Sequence, residues 1–434
     1  MQRLFKRIVV LLLTLEAKAI LRKYKPHVVA VTGSVGKTST KDAIYSVLAP
    51  HVFVRKSEKS FNSEIGIPLT ILGRPNAWNN PIGWIENLFD GLVIIFFTSK
   101  YPEWLVLEVG ADRPGDISSV ASWLPIDIAV ITRLPDVPVH VEFFSSPEEV
   151  IEEKASLLRG LKSDGVFVAN ADDSIVLGLR DKVPGQVVTY GLSLGSDVRA
   201  EHIALLSGAT GGSLPVGVMA DVEYKDTNEK GEMRVLGTIG IQALMPLLAA
   251  LAVGRVLRFP FEDSVRAIAS HTPPPGRMRL IEGLKGTLII DDTYNASPAA
   301  ASAALDALQF AGNSRTIAVL GDMLELGRFS VEQHKEVGRK AAQCVSLLVT
   351  VGFRARDIAE GALQAGMPES AIMQFEDAAK AGKYLEEVIT PGDVILIKGS
   401  QSMRMERTVE EIMLEPERAE ELLVRQDEEW RKRL

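Results

Sequence analysis

Val28-Val29-Ala30-Val31-Thr32-Gly33-Ser34-Val35-Gly36-Lys37-Thr38-Ser39-Thr40 decides the fold of this chain. The first five residues are an apolar run of the kind found in a strand buried on both faces. Two glycines follow, and then a pattern with helical spacing through Ala49. Strand, glycine loop and helix are the context a phosphate-binding loop requires. Gly33, Ser34 and Gly36 let backbone N–H groups approach a phosphate, and the helix N-terminus adds a favourable dipole. Lys37 would neutralise the β and γ oxygens of a nucleotide. Thr38 would ligate Mg²⁺, and Ser39 belongs to the same cradle. The general pattern has a glycine where Val31 stands, so this is a shortened variant.

A second apolar run, Leu105 to Val109, carries Glu108. Glutamate is rarely buried without a partner, and beside a phosphate loop a metal ion is the best partner. A third strand, Ile126 to Thr132, leads to His140. Ser146-Pro147-Glu148-Glu149 then opens a helix with N-cap, proline and capping-box signals, and that helix carries Lys154. Taken alone, His140 and Lys154 read as ordinary solvated residues. Gly165 to Asn170 is a further strand, and Val187 to Gly240 has the short alternating runs of β-hairpins. Gln242 to Leu257 reads as a core helix.

Pro273-Pro274-Pro275-Gly276 is a rigid break and marks a domain boundary. Beyond it, Arg277 precedes the run Thr287–Asp292, which releases Asp291, Asp292 and Asn295 at its C-terminal end, where open α/β sheets bind ligands. Strands at Thr316–Gly321, Leu347–Val351 and Val394–Ile397 then alternate with helices, a second and smaller doubly wound unit. The fold class is therefore α/β: a phosphate-loop ATPase domain with a mostly parallel sheet, followed by a smaller Rossmann-like domain. The expected divisions are an amphipathic helix over 1–25, a central domain over 26–273 with an aromatic insertion at 74–103, a C-terminal domain over 274–414, and a charged helical tail over 415–434 with no visible chemistry.

Composition narrows the function. With 48 basic and 56 acidic residues the net charge is −8, which argues against a general nucleic-acid binder. The single cysteine, Cys344, excludes an internal disulfide and fits a reducing cytoplasm. Met1 to Lys25 has the basic start and apolar run of a signal peptide, but charges follow quickly and the run is too short to span a bilayer. An amphipathic helix is the better reading, either packed on the body of the protein or laid on an anionic membrane surface at the inner face. In the aromatic insertion, Trp84, Leu88, Leu92 and Ile95 fall near helical spacing. That predicts a helix covering a sheet edge or docking on the N-terminal one.

VTGSVGKTST, SFNSEIGIPLTIL and LEVGADRPGDI, with His140 and Lys154 at this spacing, resemble the central domain of the Mur ligase family. GRMRLIEGLKGTLIIDDTYNASP, GDMLELG with His334, and ILIKGSQSMRMERTVEEI resemble the C-terminal domain of its D-alanyl-D-alanine-adding member. The resemblance implies a peptidoglycan-precursor ligase that joins D-alanyl-D-alanine to a UDP-linked muramoyl peptide through an acyl phosphate, with ATP and two Mg²⁺. It implies Glu108, His140 and Thr38 as metal ligands. It also implies a carbamylated Lys154 as an anionic ligand, Asn62 near the adenine, and Arg277 and Asp292 at the phosphate and ribose. Asn295 and Ser297 would lie in the loop that meets the dipeptide. The family begins with a UDP-binding unit, whereas about 25 residues precede the core here, so UDP recognition has no assigned residues. A ligase for another carboxylate acceptor and a membrane-associated P-loop ATPase are the alternatives.

Overall fold

The computed structural model describes residues 2–58, 62–78, 80–208, 214–312, 315–427 and 430, with side chains from Lys6 onward. Lys59 to Phe61 of the polar loop, the Arg3 side chain, and residues 428, 429 and 431–434 of the tail lie outside that description.

The first sheet contains β1 (His27–Thr32), β2 (Val54–Lys56), β3 (Trp104–Glu108), β4 (Ile126–Ile131), β5 (Leu161–Asn170), β6 (Gln186–Gly191), β7 (Val198–Ser207), β8 (Pro215–Tyr224) and β9 (Glu229–Leu236). Their spatial order is β2-β3-β1-β4-β5-β6-β7-β8-β9. Pairing is parallel from β2 through β7, and the last three strands form an antiparallel meander. The two-residue period of a strand sorts its side chains between two layers. Val29, Val31, Val106 and Val130 pack on the side of the helices Lys37–Leu48 and Ile241–Val256. Val28, Ala30, Leu105 and Leu107 face the other layer, which contains the helix Gln2–Tyr24 and the helix Gly66–Leu72.

Gln2–Tyr24 is thus packed on the body of the protein, through Val9, Leu13, Ala17, Ile20 and Leu21. The aromatic insertion forms the helix Pro81–Phe96, with Asn80 as its N-cap, accepting from the Ile82 and Gly83 amides. It docks on the N-terminal helix. Lys23 Nζ donates to the Ile94, Ile95 and Phe97 carbonyls, so the two helices end side by side. Trp84 is buried and Leu88 and Ile95 are partly buried, but Leu92 is exposed, so the expected apolar face is split.

The second sheet contains β10 (Arg279–Gly283), β11 (Thr287–Asp292), β12 (Thr316–Gly321), β13 (Leu347–Val351), β14 (Ile372–Phe375) and β15 (Val394–Lys398), in the order β10-β11-β15-β12-β13-β14. All neighbours pair in parallel except β10 and β11. The last strand in the chain therefore sits between two earlier ones. The charged tail differs from its expectation. Leu422 and Leu423 are buried in the second domain, and Arg425 is buried too, donating to the Thr293 carbonyl and to Glu406 Oε2 at 3.1 and 2.7 Å. Charge composition alone hid this, because Ala419, Leu422 and Leu423 are few among charged neighbours yet join the apolar core of the second domain.

Candidate active site

The C-terminal ends of β1, β3 and β4 open on a cleft of about 1910 Å³ between the two sheets. At its floor Gly33 lies against β4: a Cβ there would come within 2.0 Å of Thr132 Oγ1. Gly36 has φ +84° and caps the helix Lys37–Leu48, so the loop turns in a conformation that costs glycine nothing. Ser34 N–H donates to the Arg133 carbonyl at 2.7 Å, which ties the loop to the strand beside it. Lys37 Nζ donates to the Gly33 carbonyl at 3.0 Å and spans the loop it serves. Burial holds its pKa below the ordinary amine range, with the Glu108 carboxylate acting in the opposite direction.

Val31 pairs with Glu108 across β1 and β3, which brings the carboxylate level with the loop. Thr38 Oγ1 donates to Glu108 Oε2 at 2.9 Å, and Asn62 Nδ2 donates to Oε1 at 3.1 Å. Glu108 is 1% exposed. Asn62 was expected near the adenine. Its amide is turned to Glu108, a buried carboxylate whose two acceptor oxygens need donors.

A hydroxyl and a buried carboxylate are hard oxygen donors suited to Mg²⁺, which is commonly held by one or two protein oxygens with phosphates and water completing its shell. No group of three His, Cys, Asp or Glu side chains able to hold a metal occurs among the described residues. The donor set fits an ion that arrives with its nucleotide.

Lys154 comes from the helix Pro147–Ala155. Ser146 caps that helix, while Glu149 reaches back to the Ser145 N–H at 2.7 Å rather than to Ser146. Lys154 is 1% exposed, and its Nζ lies 3.4 Å from the Gly33 carbonyl. Burial, reinforced by the Lys37 cation, lowers its pKa to about 7. His140 Nε2 lies 3.6 Å from Asp112 Oδ1, and its Nδ1 lies 2.6 Å from Glu325 Oε2 of the second domain. His140 and Glu325 both have left-handed backbones, φ +71° and +64°. Neither is glycine, and such conformations persist where surrounding structure enforces them.

Arg277 also crosses the cleft. Its Nη2 donates to Thr38 Oγ1 at 3.2 Å, and its guanidinium stacks 3.9 Å from the Tyr294 ring centroid. The turn before it is held by Asp291, which is fully buried and accepts from the Gly276 N–H at 2.9 Å and from Thr293 Oγ1 at 2.6 Å. Desolvation raises the Asp291 pKa to about 6. Asp292 receives a hydrogen bond from Lys398 Nζ at 2.5 Å, and Lys398 also donates to the Asn295 carbonyl at 2.8 Å. Asn295 Oδ1 accepts from the Gln401 N–H at 3.3 Å. Ser297 caps the helix Pro298–Phe310 through the Ala300 N–H, so its hydroxyl already has a structural partner.

Three participants escaped the sequence reading: Glu325, Lys398 as a side-chain partner, and Arg425. Lys398 stood in a motif at a strand end, which was a usable signal. Glu325 stood inside the GDMLELG stretch, which carried the resemblance without giving this residue a role; Arg425 had no signal, since its backbone partners Thr293 and Tyr294 lie far away in sequence.

Residues 31–254 match the Mur ligase middle domain, and residues 276–401 match the Mur ligase, glutamate ligase domain. The chain is 30% identical over 402 residues to a UDP-N-acetylmuramoyl-tripeptide–D-alanyl-D-alanine ligase of Bacillus subtilis, covering 92% of this chain and 79% of that one. It is 28% identical to the ligase of the same name from Escherichia coli over 91% of this chain and 78% of that one. The solved MurF ligase of Thermotoga maritima in complex with ADP superposes with a TM-score of 0.74 at 28% identity, over 93% of this chain and 83% of that one. With a phosphate loop, a strand-borne carboxylate beside it and an arginine reaching in from the second domain, the chain belongs to the Mur ligase family.

Proposed function

We propose that this protein is an ATP-dependent ligase of peptidoglycan precursor synthesis. It would join D-alanyl-D-alanine to the terminal carboxylate of a UDP-N-acetylmuramoyl-tripeptide and release ADP and phosphate. The observation that carries the reading is the meeting of Thr38, Glu108 and Arg277 at one point of the cleft. The names of the relatives supply the substrates.

The carboxylate oxygen of the tripeptide attacks the γ-phosphorus of ATP. The bond to ADP breaks, leaving an acyl phosphate. The dipeptide amine then adds to the acyl carbon, the bond to phosphate breaks, and the amide forms as the amine loses a proton. Such a sequence asks the protein for alignment and charge neutralisation more than for covalent help. Lys37 and the loop amides hold the phosphates, and Arg277 faces the charge that develops on the transferred group. A magnesium ion held by Thr38 and Glu108 would neutralise phosphate charge; His140 and Lys154 are the proposed holders of a second.

The Lys154 amine, with its pKa lowered to about 7 by burial and the Lys37 cation, has a substantial neutral fraction near neutral pH; it would add to CO₂ with loss of a proton and become a carbamate anion. Asp292 is assigned to the nucleotide ribose, and Asn295 to the dipeptide. Cytoplasmic synthesis is the corresponding location. Release of phosphate from ATP should require both the tripeptide carboxylate and D-alanyl-D-alanine. Phosphate release without the amine, or equal release with an unrelated amine, overturns the reading.

A further inference from the structure

The helices Gln2–Tyr24 and Pro81–Phe96 lie side by side, and each turns an apolar stripe to solvent. On the first, Ile8, Leu11, Leu12 and Leu15 are exposed, Leu11 to 60%. Their spacing of three and four residues puts them on one helical face. Arg7, Lys18 and Arg22 share that face by the same spacing, so cations stand at both ends of the stripe. On the second, Ile82, Ile85, Phe89, Leu92, Val93 and Phe96 form the exposed stripe, with exposures of 67%, 66% and 64% for Ile82, Ile85 and Phe89.

A helix on the surface of a soluble domain normally shows charged residues to water. Contiguous exposed apolar surface of this kind marks an interaction site. The acids on the second helix lie aside from it: Asp90 is paired with Arg74, and Glu86 stands at the edge of the stripe.

Charge identifies the partner. The chain as a whole carries −8, yet the helix Gln2–Tyr24 contains six basic residues and a single acid, Glu16, which is buried. An apolar stripe with arginines at its ends suits a bilayer interface, where the stripe enters the acyl boundary and the guanidinium groups reach the phosphates. Neither helix is long and apolar enough to cross a membrane. We propose that these two helices form a docking face for an anionic lipid bilayer, on which the protein lies without spanning it. The inference stands apart from the ligase reading, because the face belongs to the outer layer of the first domain and none of its residues lines the cleft.

The test uses the full chain with vesicles of phosphatidylglycerol and phosphatidylcholine, and with vesicles of phosphatidylcholine alone. Co-sedimentation is expected with the anionic vesicles and should weaken as salt rises. The double variant Ile85→Glu, Phe89→Glu should bind about tenfold less or weaker still, with an unchanged thermal melt and an unchanged rate of ATP-dependent ligation in solution. Arg7→Glu with Arg22→Glu should lower binding to the anionic vesicles as well. Failure to bind the anionic vesicles, equal binding to both compositions, or a wild-type dimer that the Ile85→Glu, Phe89→Glu pair dissociates would overturn the proposal. A loss of ligation by wild-type protein in solution would bear on the proposed function and leave this face untouched.

Discussion

Arg277 and Thr38 are 239 positions apart, yet the arginine donates Nη2 to the threonine hydroxyl at 3.2 Å. The same hydroxyl donates to Glu108. One oxygen therefore connects the second domain, the phosphate loop and the buried carboxylate of the first sheet.

Arg277→Ala should lower kcat by about 10²- to 10³-fold while changing nucleotide affinity far less, since the side chain comes from the opposite domain. Steady-state kinetics with ATP varied, beside direct nucleotide titration, separates the two. A large loss of ATP affinity with a normal maximal rate would contradict the assignment.

Lys37→Ala should reduce turnover by roughly 10³-fold or more with the fold intact, because it removes the cation that spans the loop. Near-normal phosphate release by a variant with a native circular dichroism spectrum would remove the phosphate-loop reading.

Lys154→Ala should lose most activity, about 10²-fold, and formate or acetate should restore part of it by placing a carboxylate where a carbamate would stand. With the Lys154 pKa lowered to about 7, the reactive neutral amine grows as pH rises through that value. Stripping CO₂ should therefore depress wild-type activity. If stripping has no effect and Lys154→Ala remains active, the carbamate is excluded.

Glu16 is buried between the two outer helices, facing Gly91, and desolvation raises its pKa to about 7. A carboxyl whose folded pKa exceeds its unfolded one favours the fold while protonated. Its contribution is complete below the unfolded value near 4.5 and is lost as pH rises through about 7. Glu16→Gln should then stabilise the protein by about 1 to 3 kcal/mol above neutral pH, with the gain vanishing toward acid. Urea melts across this range measure it; a gain independent of pH would point to packing alone.

Arg425→Ala should cost about 3 kcal/mol, since it leaves the buried Glu406 with one cation fewer and frees the backbone at Thr293 and Tyr294. It should also raise KM for the dipeptide, because Asn295 follows those residues directly. Removing Glu406 together with Arg425 should cost less than the sum of the single changes. Additive losses in a double-mutant cycle would show that the pair is not coupled.

Much of this molecule was legible in its sequence where function lies in contiguous residues. Strand, loop and helix from Val28 to Leu48 needed only periodicity and two glycines, and Glu108 declared itself as an acid in an apolar run. The strand Ile372–Phe375 escaped, being four residues long with Gln374 inside it, too short for a period to show. The left-handed conformations of His140 and Glu325 were invisible for a different reason. The two residues meet each other from two domains, and neither residue type announces a positive φ. The exposed stripe of Pro81–Phe96 was half visible: helical spacing revealed an apolar helix, but not that water faces the wider side.

The order of the second sheet bears on how the protein is made. Synthesis runs from N- to C-terminus, and domains tend to fold as they emerge. Here the β10–β11 pair and the group β12, β13 and β14 stay unjoined until β15, made about a hundred residues after β11, has left the ribosome and slipped between β11 and β12. Lys398 is the last residue of that strand, so the Asp292–Lys398 bond cannot exist in any nascent chain that still holds Val394–Lys398 in the exit tunnel. A stalled ribosome or a premature stop before Val394 would deliver a folded phosphate loop beside two unjoined half-sheets with open edges, a product fit for proteolysis and unable to close over its substrate.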